Sequence, residues 1–124
     1  MNKDTILYFE DLFGICEGAV KDLTKAFPEY KVIGDEGHEG CVGKVIKKIG
    51  GIEMIAIVCT DGALFGNVKG WDIVKELQSR GYSGPAIYTG SSDLPENEKK
   101  LYVDRSDQKT GKSLVDSVRK NLKV

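Results

Sequence analysis

The sequence lacks the features that zinc-binding, nucleic-acid-binding and membrane proteins need. It has three cysteines, one histidine and no Cys-x-x-Cys pair, a pattern that disfavours a structural zinc site. The 18 basic residues are balanced by 19 acidic ones, so no nucleic-acid-binding surface is predicted. No apolar run approaches the ~20 residues of a membrane helix, and the N-terminus has no signal-peptide pattern. We therefore expect no direct contact with nucleic acids or membranes.

The cysteines are too few and too irregularly spaced for a disulfide framework. Cys16, Cys41 and Cys59 each fall inside an apolar pattern. An odd number of thiols buried in this way is typical of a cytoplasmic protein. We expect three free, buried thiols and a cytoplasmic location.

Apolar patterning predicts alternating strands and helices over one domain, residues 1–124. The predicted strands are residues 5–9, 30–35, 53–59, 85–89 and 101–104, with a sheet core at 6–9, 54–59, 86–88 and 101–103. Helical stripes run over 12–27, 42–49, 71–77 and 114–122, and Gly50 should stop the second of them. The segment "DLPENEKK" has room for only one or two helical turns. The alternation predicts an α/β fold with a parallel sheet covered by helices on both faces.

Polar residues follow the predicted strands at the edge where ligands bind in parallel sheets. Glu10 and Asp11 follow the first strand, Thr60 and Asp61 the third, and Thr89 ends the fourth. Three carboxylates converging on one volume repel one another unless a cation compensates them or a pKa rises. Mg²⁺ suits such oxygen ligands. The alternative interpretation is that Glu10 and Asp11 only cap the first helix, near its positive end.

The order of these motifs resembles the receiver domain of bacterial two-component response regulators, over nearly the whole chain. The matching features are the acid pair of "ILYFED", the turn "GDEGHEG", the third strand ending in an aspartate, Gly70 before helix three, "AIYTG" and "YVDR". The resemblance implies a flavodoxin-like, doubly wound (βα)5 fold with strand order 2-1-3-4-5. Helix four would be shortened.

The resemblance also implies a Mg²⁺ site and a phosphoryl acceptor. The implied metal ligands are Glu10, Asp11, Asp61 and the backbone carbonyl of Ala63. Asp61 would accept the phosphoryl group. The third strand is long, however, so Cys59 or Thr60 could instead occupy the acceptor position. That alternative stays open from the sequence.

Three further residues complete the implied site. Thr89 and Arg105 would contact the phosphoryl oxygens, and Tyr102 with Thr89 would form the conformational switch. Arg105 stands where the family has a lysine, and Lys109 is the reserve candidate for that role. The family's proline after the lysine is Ser106 here.

The implied function is that of a stand-alone receiver. It would accept a phosphoryl group from a sensor histidine kinase or phosphotransfer protein, with Mg²⁺ as cofactor, and signal to a downstream protein partner by a conformational switch. Such a domain is not an enzyme for another substrate, although it catalyses its own phosphotransfer and dephosphorylation. The alternative is a pseudo-receiver that binds partners without phosphorylation. A P-loop at "SDQKTGKS" is disfavoured because Ser106 replaces the first glycine, and flavin binding is disfavoured because "EDLFG" would repel phosphate.

Overall fold

A computed structural model describes residues 3–90 and 93–122 of the chain. Its five strands form one parallel sheet in the order β2-β1-β3-β4-β5. The strands are β1 (Thr5–Phe9), β2 (Lys31–Asp35), β3 (Ile55–Thr60), β4 (Ala86–Thr89) and β5 (Asp104–Ser106). The helices are α1 (Phe13–Ala26), α2 (Cys41–Ile49), α3 (Gly70–Ser79) and α4 (Gly111–Asn121). The predicted fold and strand order are confirmed.

Helices cover both faces of the sheet, which explains the uninterrupted apolar runs in β1 and β3. On one face, α1 and α4 pack around Tyr8, Ile57 and Leu114. On the other, α2 and α3 pack around Phe9 and Val58. Both central strands therefore lie in the core, and their carboxyl ends deliver the next residues to one edge of the sheet.

The second helix ends at Gly50, as the sequence predicts, and it also begins after a glycine. Gly40 and Gly50 flank α2 with φ values of 80° and 95°, a backbone region that side chains with a Cβ rarely adopt. The Gly50 N–H donates to Ile46 O at 3.1 Å and closes the last turn. None of the described helices is long and apolar enough to cross a membrane.

The predicted position of the fifth strand is wrong by about three residues. Leu101 ends a 3₁₀ helix, Glu96–Leu101, and β5 begins only at Asp104. This 3₁₀ helix replaces the usual fourth helix, as expected, and the Lys75–Glu98 ion pair of 2.6 Å holds it against α3. Leu101 belongs to the 3₁₀ helix, and Val103 is 60% exposed. The apolar residues 101–103 therefore lie before the strand, although Leu101 still packs on the α2–α3 face.

Candidate functional site

Three acidic side chains meet at the carboxyl edge of the sheet. Glu10 follows β1 and Asp61 follows β3, and these strands are neighbours with Phe9 opposite Thr60. One oxygen from each of Glu10, Asp11 and Asp61 lies within 4.8 Å of the others. Glu10 is fully buried and Asp61 nearly so. The structure thus brings together the three carboxylates that the sequence placed at this edge.

Burial makes this cluster electrostatically unfavourable without a cation. Loss of solvent raises the pKa of Glu10, and a hydrogen bond with Asp11 raises it further, against the opposing effect of Lys109. The alternative capping role of Glu10 is also present in part. Its Oε2 accepts a hydrogen bond from the Leu12 N–H at 3.3 Å, just before α1.

Lys109 supplies a positive charge inside the acid cluster. Its Nζ lies 3.0 Å from Glu10 Oε1 and 2.9 Å from Asp61 Oδ2. Its backbone carbonyl accepts a hydrogen bond from the Tyr8 hydroxyl, which fixes the loop after β5. Burial alone would lower the pKa of Lys109, but hydrogen bonds to Asp61 and Glu10 outweigh that effect and raise it. The ammonium group is therefore held in its charged form.

Arg105, which the sequence placed in the lysine role, lies elsewhere. It is the middle residue of β5 and pairs with Tyr88 in the sheet. Its guanidinium carbon is 5.1 Å from the centre of the Tyr88 ring, and its Nε donates to Gly90 O at 3.3 Å. Because β5 starts later than predicted, Arg105 lies within the strand, and Lys109 reaches the acidic residues in its place. The reserve candidate thus takes the position given to Arg105.

Thr89 ends β4 beside the acid cluster with a buried hydroxyl. Thr89 Oγ1 makes no hydrogen bond of good geometry among the described residues, although it lies near enough to the Tyr8 hydroxyl to oppose the rise in the pKa of that phenol. The next residue, Gly90, lies so close to Asp61 and Lys109 that an added Cβ would be 3.4 Å from Asp61 Oδ1 and 2.9 Å from Lys109 Cε. Buried hydroxyls are normally paired, so an unpaired one at this edge suits a ligand that accepts hydrogen bonds.

The two predicted switch residues, Thr89 and Tyr102, are not hydrogen-bonded to each other, and their switch role stays a prediction. Tyr102 lies before β5, and its hydroxyl is 3.1 Å from Thr60 Oγ1, not paired with Thr89. Its ring meets the Tyr88 ring edge to face, with centroids 5.2 Å apart. Burial raises the pKa of Tyr102, so its hydroxyl stays protonated. Tyr102 therefore connects the residue before Asp61 to the segment that leads into β5.

Only Asp61 among the alternative acceptors joins the acid cluster. Cys59 is fully buried in the α1–α4 core, and Thr60 contacts Tyr102. Asp61 Oδ1 accepts the Gly62 N–H at 2.8 Å, which orients the carboxylate. The assignment of Asp61 as acceptor stays a prediction, but the geometry favours it over Cys59 and Thr60.

The loop after Asp61 is tightly closed. The Gly70 N–H donates to Gly62 O at 2.9 Å, and Ala63 bridges Lys69. A Cβ at Gly70 would lie 1.9 Å from Asp61 O, so this position requires glycine. The role of the Ala63 carbonyl as a metal ligand stays a prediction.

No protein-family model and no curated protein sequence matches this chain. Solved structures do match it. The chemotaxis response regulator CheY4 of Vibrio cholerae has a TM-score of 0.73 at 17% identity, covering 96% of this chain and 98% of that one. The signal receiver domain of a DNA-binding response regulator (merR) from Colwellia psychrerythraea 34H has a TM-score of 0.72 at 16% identity, covering 94% and 95%.

A third similar structure is the BeF3-activated N-terminal receiver domain of Klebsiella pneumoniae RstA. Its TM-score is 0.68 at 19% identity, and the match covers 98% of this chain and 100% of that one. Identities this low establish the fold alone. The resemblance predicted from the sequence is thereby confirmed at that level: this chain has the fold of response regulator receiver domains.

Proposed function

We propose that this chain is a receiver domain that accepts a phosphoryl group on Asp61. The observation that carries the proposal is the surroundings of that carboxylate. Two further acids, a charged ammonium group and a buried unpaired hydroxyl lie at the same sheet edge. This combination supplies oxygen ligands for a cation and donors for a phosphoryl group.

The residues fit Mg²⁺ on chemical grounds. Glu10, Asp11 and Asp61 offer only oxygen atoms, within a span that one small cation can bridge. Burial is the main cause of the raised pKa of Glu10, and the hydrogen bond with Asp11 adds to it, so a bound cation would favour the ionised carboxylate. When bound, Mg²⁺ would neutralise charge on the phosphoryl oxygens.

The transfer step follows from the position of Asp61. A carboxylate oxygen of Asp61 attacks the phosphorus of a phosphohistidine, and the P–N bond breaks. The bonding electron pair goes to the imidazole nitrogen, and Asp61 carries the phosphoryl group as an acyl phosphate. Lys109, now 2.9 Å from Asp61 Oδ2, would pair with a phosphoryl oxygen, and the Thr89 hydroxyl would donate to another. Positioning and charge compensation supply most of the rate in such transfers.

The donor would be a sensor histidine kinase or a phosphotransfer protein, which places the reaction in the cytoplasm. The conformational change caused by phosphorylation would reach a downstream partner through Thr60 and Tyr102. Thr60 precedes Asp61 directly, and Tyr102 adjoins the 3₁₀ helix Glu96–Leu101. Movement of Asp61 on phosphorylation would therefore disturb the Thr60–Tyr102 hydrogen bond.

The proposal is tested with a small phosphodonor. Wild-type protein incubated with acetyl phosphate or phosphoramidate and Mg²⁺ should gain the mass of one phosphoryl group. Asp61→Asn should gain none, whereas Cys59→Ser, a matched change of the neighbouring alternative acceptor, should gain one. Lys109→Met should react more slowly than wild type at saturating Mg²⁺.

Two results together would overturn the phosphotransfer proposal. One is an unmodified wild type. The other is the lack of any change in amide resonances near Asp61 and Thr89 when beryllofluoride and Mg²⁺ are added. Beryllofluoride is the natural probe because it activated the similar Klebsiella domain.

One observation favours the second candidate, a pseudo-receiver that binds a partner without phosphorylation. Lys109 already pairs with both Glu10 and Asp61, so the acid cluster has an internal cation. In that case Mg²⁺ should leave the melting temperature unchanged even at millimolar concentration. A receiver should instead show a rise in melting temperature that Asp11→Asn abolishes.

A further inference from the structure

A second concave surface lies beside the candidate site, between α2, α3 and the loops that precede them. It encloses about 600 Å³. Its floor is apolar and consists of Cys41, Val42, Val68 and Ile73. We call this surface the acidic groove. Among the described residues that line it, none belongs to the acid cluster of Glu10, Asp11 and Asp61.

An aromatic pair forms one wall of the acidic groove. The rings of His38 and Phe65 have centroids 3.9 Å apart with planes tilted by 38°. Phe65 is 50% exposed, although a side chain of its size is usually covered. An exposed aromatic residue over an apolar floor is typical of a protein-binding surface.

Contacts between neighbouring loops tie the walls of the groove together. The buried Leu64 packs on Gly37, so closely that a Cβ on Gly37 would lie 2.8 Å from Leu64 Cδ1. This contact ties the loop of Phe65 to the turn of His38. The Leu64 N–H also donates to Val68 O at 3.0 Å, which closes the loop on itself. A preformed groove loses little conformational entropy on binding.

The rim of the groove is negatively charged. Glu39, in the turn before α2, and Asp72, in the first turn of α3, are both exposed, and Glu76 lies further along α3. Glu76 is paired with Arg80 at 2.9 Å, so its charge is partly compensated. Among the described lining residues there is no lysine or arginine. An apolar floor with an acidic rim therefore complements a ligand that is both apolar and cationic.

We propose that the acidic groove binds a segment of a partner protein in which aliphatic side chains alternate with lysine or arginine. The aliphatic side chains fill the floor against Phe65, and the basic side chains meet Glu39 and Asp72. The inference goes beyond phosphorylation and does not require it, because neither the groove nor its charges involve Asp61.

The test uses a synthetic peptide, acetyl-Arg-Leu-Lys-Leu-Arg-amide, titrated into the isotope-labelled full chain without Mg²⁺ or phosphodonor. Saturable shifts should appear at the amides of residues 38–42, 65–68 and 72–76. Asp72→Asn should weaken binding about two- to fivefold, the usual effect of one exposed charge. Phe65→Ala should weaken it about tenfold, since half-buried aromatic anchors dominate such contacts.

Matched controls separate this site from general attraction between charges. Glu29→Gln removes an exposed acid from the turn that enters β2, at the opposite end of the strands, and should leave the affinity unchanged. A peptide with glycine in place of leucine should bind at least tenfold more weakly. Because Phe65 and Asp72 are surface residues, circular dichroism should show both variants folded like wild type.

Three results would overturn the proposal. The first is equal binding of the leucine and glycine peptides. The second is a loss in Glu29→Gln as large as that in Asp72→Asn. The third is a set of concentration-dependent shifts at residues 38–42 and 65–68 without peptide, which would show a second copy of the chain in the groove. Since no step involves phosphate, these outcomes are independent of the phosphorylation assay.

Discussion

Replacing Lys109 by methionine should destabilise the protein because it leaves two buried carboxylates without their cation. The Glu10 side chain is 0% exposed and that of Asp61 5%, and Lys109 lies 3.0 and 2.9 Å from them. Methionine preserves most of the aliphatic stem, so lost packing contributes little. The change therefore measures the role of the ammonium group.

The size of the effect follows from the geometry. At 3 Å and an effective dielectric constant of about 20, each ion pair is worth about 5 kcal/mol of Coulomb energy. Desolvation of the three groups offsets much of this. Breaking a fully buried pair costs about 3–5 kcal/mol. Since Lys109 is 26% exposed, we expect a loss of about 2–3 kcal/mol, a large share of the 5–15 kcal/mol typical of a domain.

The assay is urea unfolding followed by circular dichroism, at pH 7 without divalent cations. Lys112→Met is the matched control. Lys112 also makes an ion pair, at 2.8 Å to Asp116, but it is 89% exposed, and its loss should cost less than about 0.5 kcal/mol. Adding Glu10→Gln to Lys109→Met should recover part of the loss, because one of the unpaired charges disappears.

Magnesium and pH give independent checks on the same reasoning. If Mg²⁺ can replace the ammonium group, it should stabilise Lys109→Met more than wild type, by about 1.4 kcal/mol more for a tenfold difference in affinity. The pKa of Glu10 is raised in the folded protein. Its ionisation therefore destabilises the fold as the pH rises from the ordinary pKa of a glutamate through this raised pKa. In Lys109→Met this decline should be larger and extend to higher pH, because losing the ammonium group raises the pKa of Glu10 further. Equal stability of Lys109→Met and wild type at pH 7 would refute the reasoning.

Three further predictions concern other parts of the chain. The pKa of Asp104 is lowered, because hydrogen bonds including that from Ser117 outweigh the effect of its burial. The ionised carboxylate therefore stabilises the fold above the ordinary pKa of about 4, and this stabilisation is lost on acidification. Asp104→Asn should lower the melting temperature at pH 7 but hardly at pH 2. Burial raises the pKa of Cys59 to about 12. Mass spectrometry should therefore find no iodoacetamide adduct on Cys59 at pH 8 until urea unfolds the protein. Rapid labelling of Cys59 in the native protein would contradict the structure. Tyr102→Phe should cost about 1–2 kcal/mol in urea unfolding because the buried Thr60 hydroxyl loses its partner; an unchanged midpoint would indicate that water replaces the tyrosine.

Local patterns were sufficient to predict the central elements of the fold. The unbroken apolar residues of β1 and β3 indicate strands covered on both faces, and both strands are indeed buried at the centre of the sheet. The end of α2 at Gly50 could also be predicted from the local sequence, since the backbone conformation at this position requires glycine. By contrast, β5 consists of Asp104, Arg105 and Ser106, which have no apolar pattern. It forms because it pairs with β4, a tertiary effect that composition does not reveal.

The same contrast explains what could be predicted of the candidate site. Glu10 and Asp61 directly follow strongly patterned strands, so their meeting follows from the topology of the sheet. Lys109 lies in a loop, and its contact with them depends on where β5 ends. An error of three residues in that strand was enough to exchange the positions expected for Arg105 and Lys109.

The shortness of β5 also bears on how the protein behaves at high concentration. This strand is at the edge of the sheet, and an open edge can recruit strands from other molecules into aggregates. Here the edge has only three residues, and Asp104 and Arg105 place opposite charges on it. Val103, although exposed, lies outside the strand and so offers no extended apolar ribbon. The residues that made β5 hard to find in the sequence are thus the ones that make this edge of the sheet a poor template for further strands.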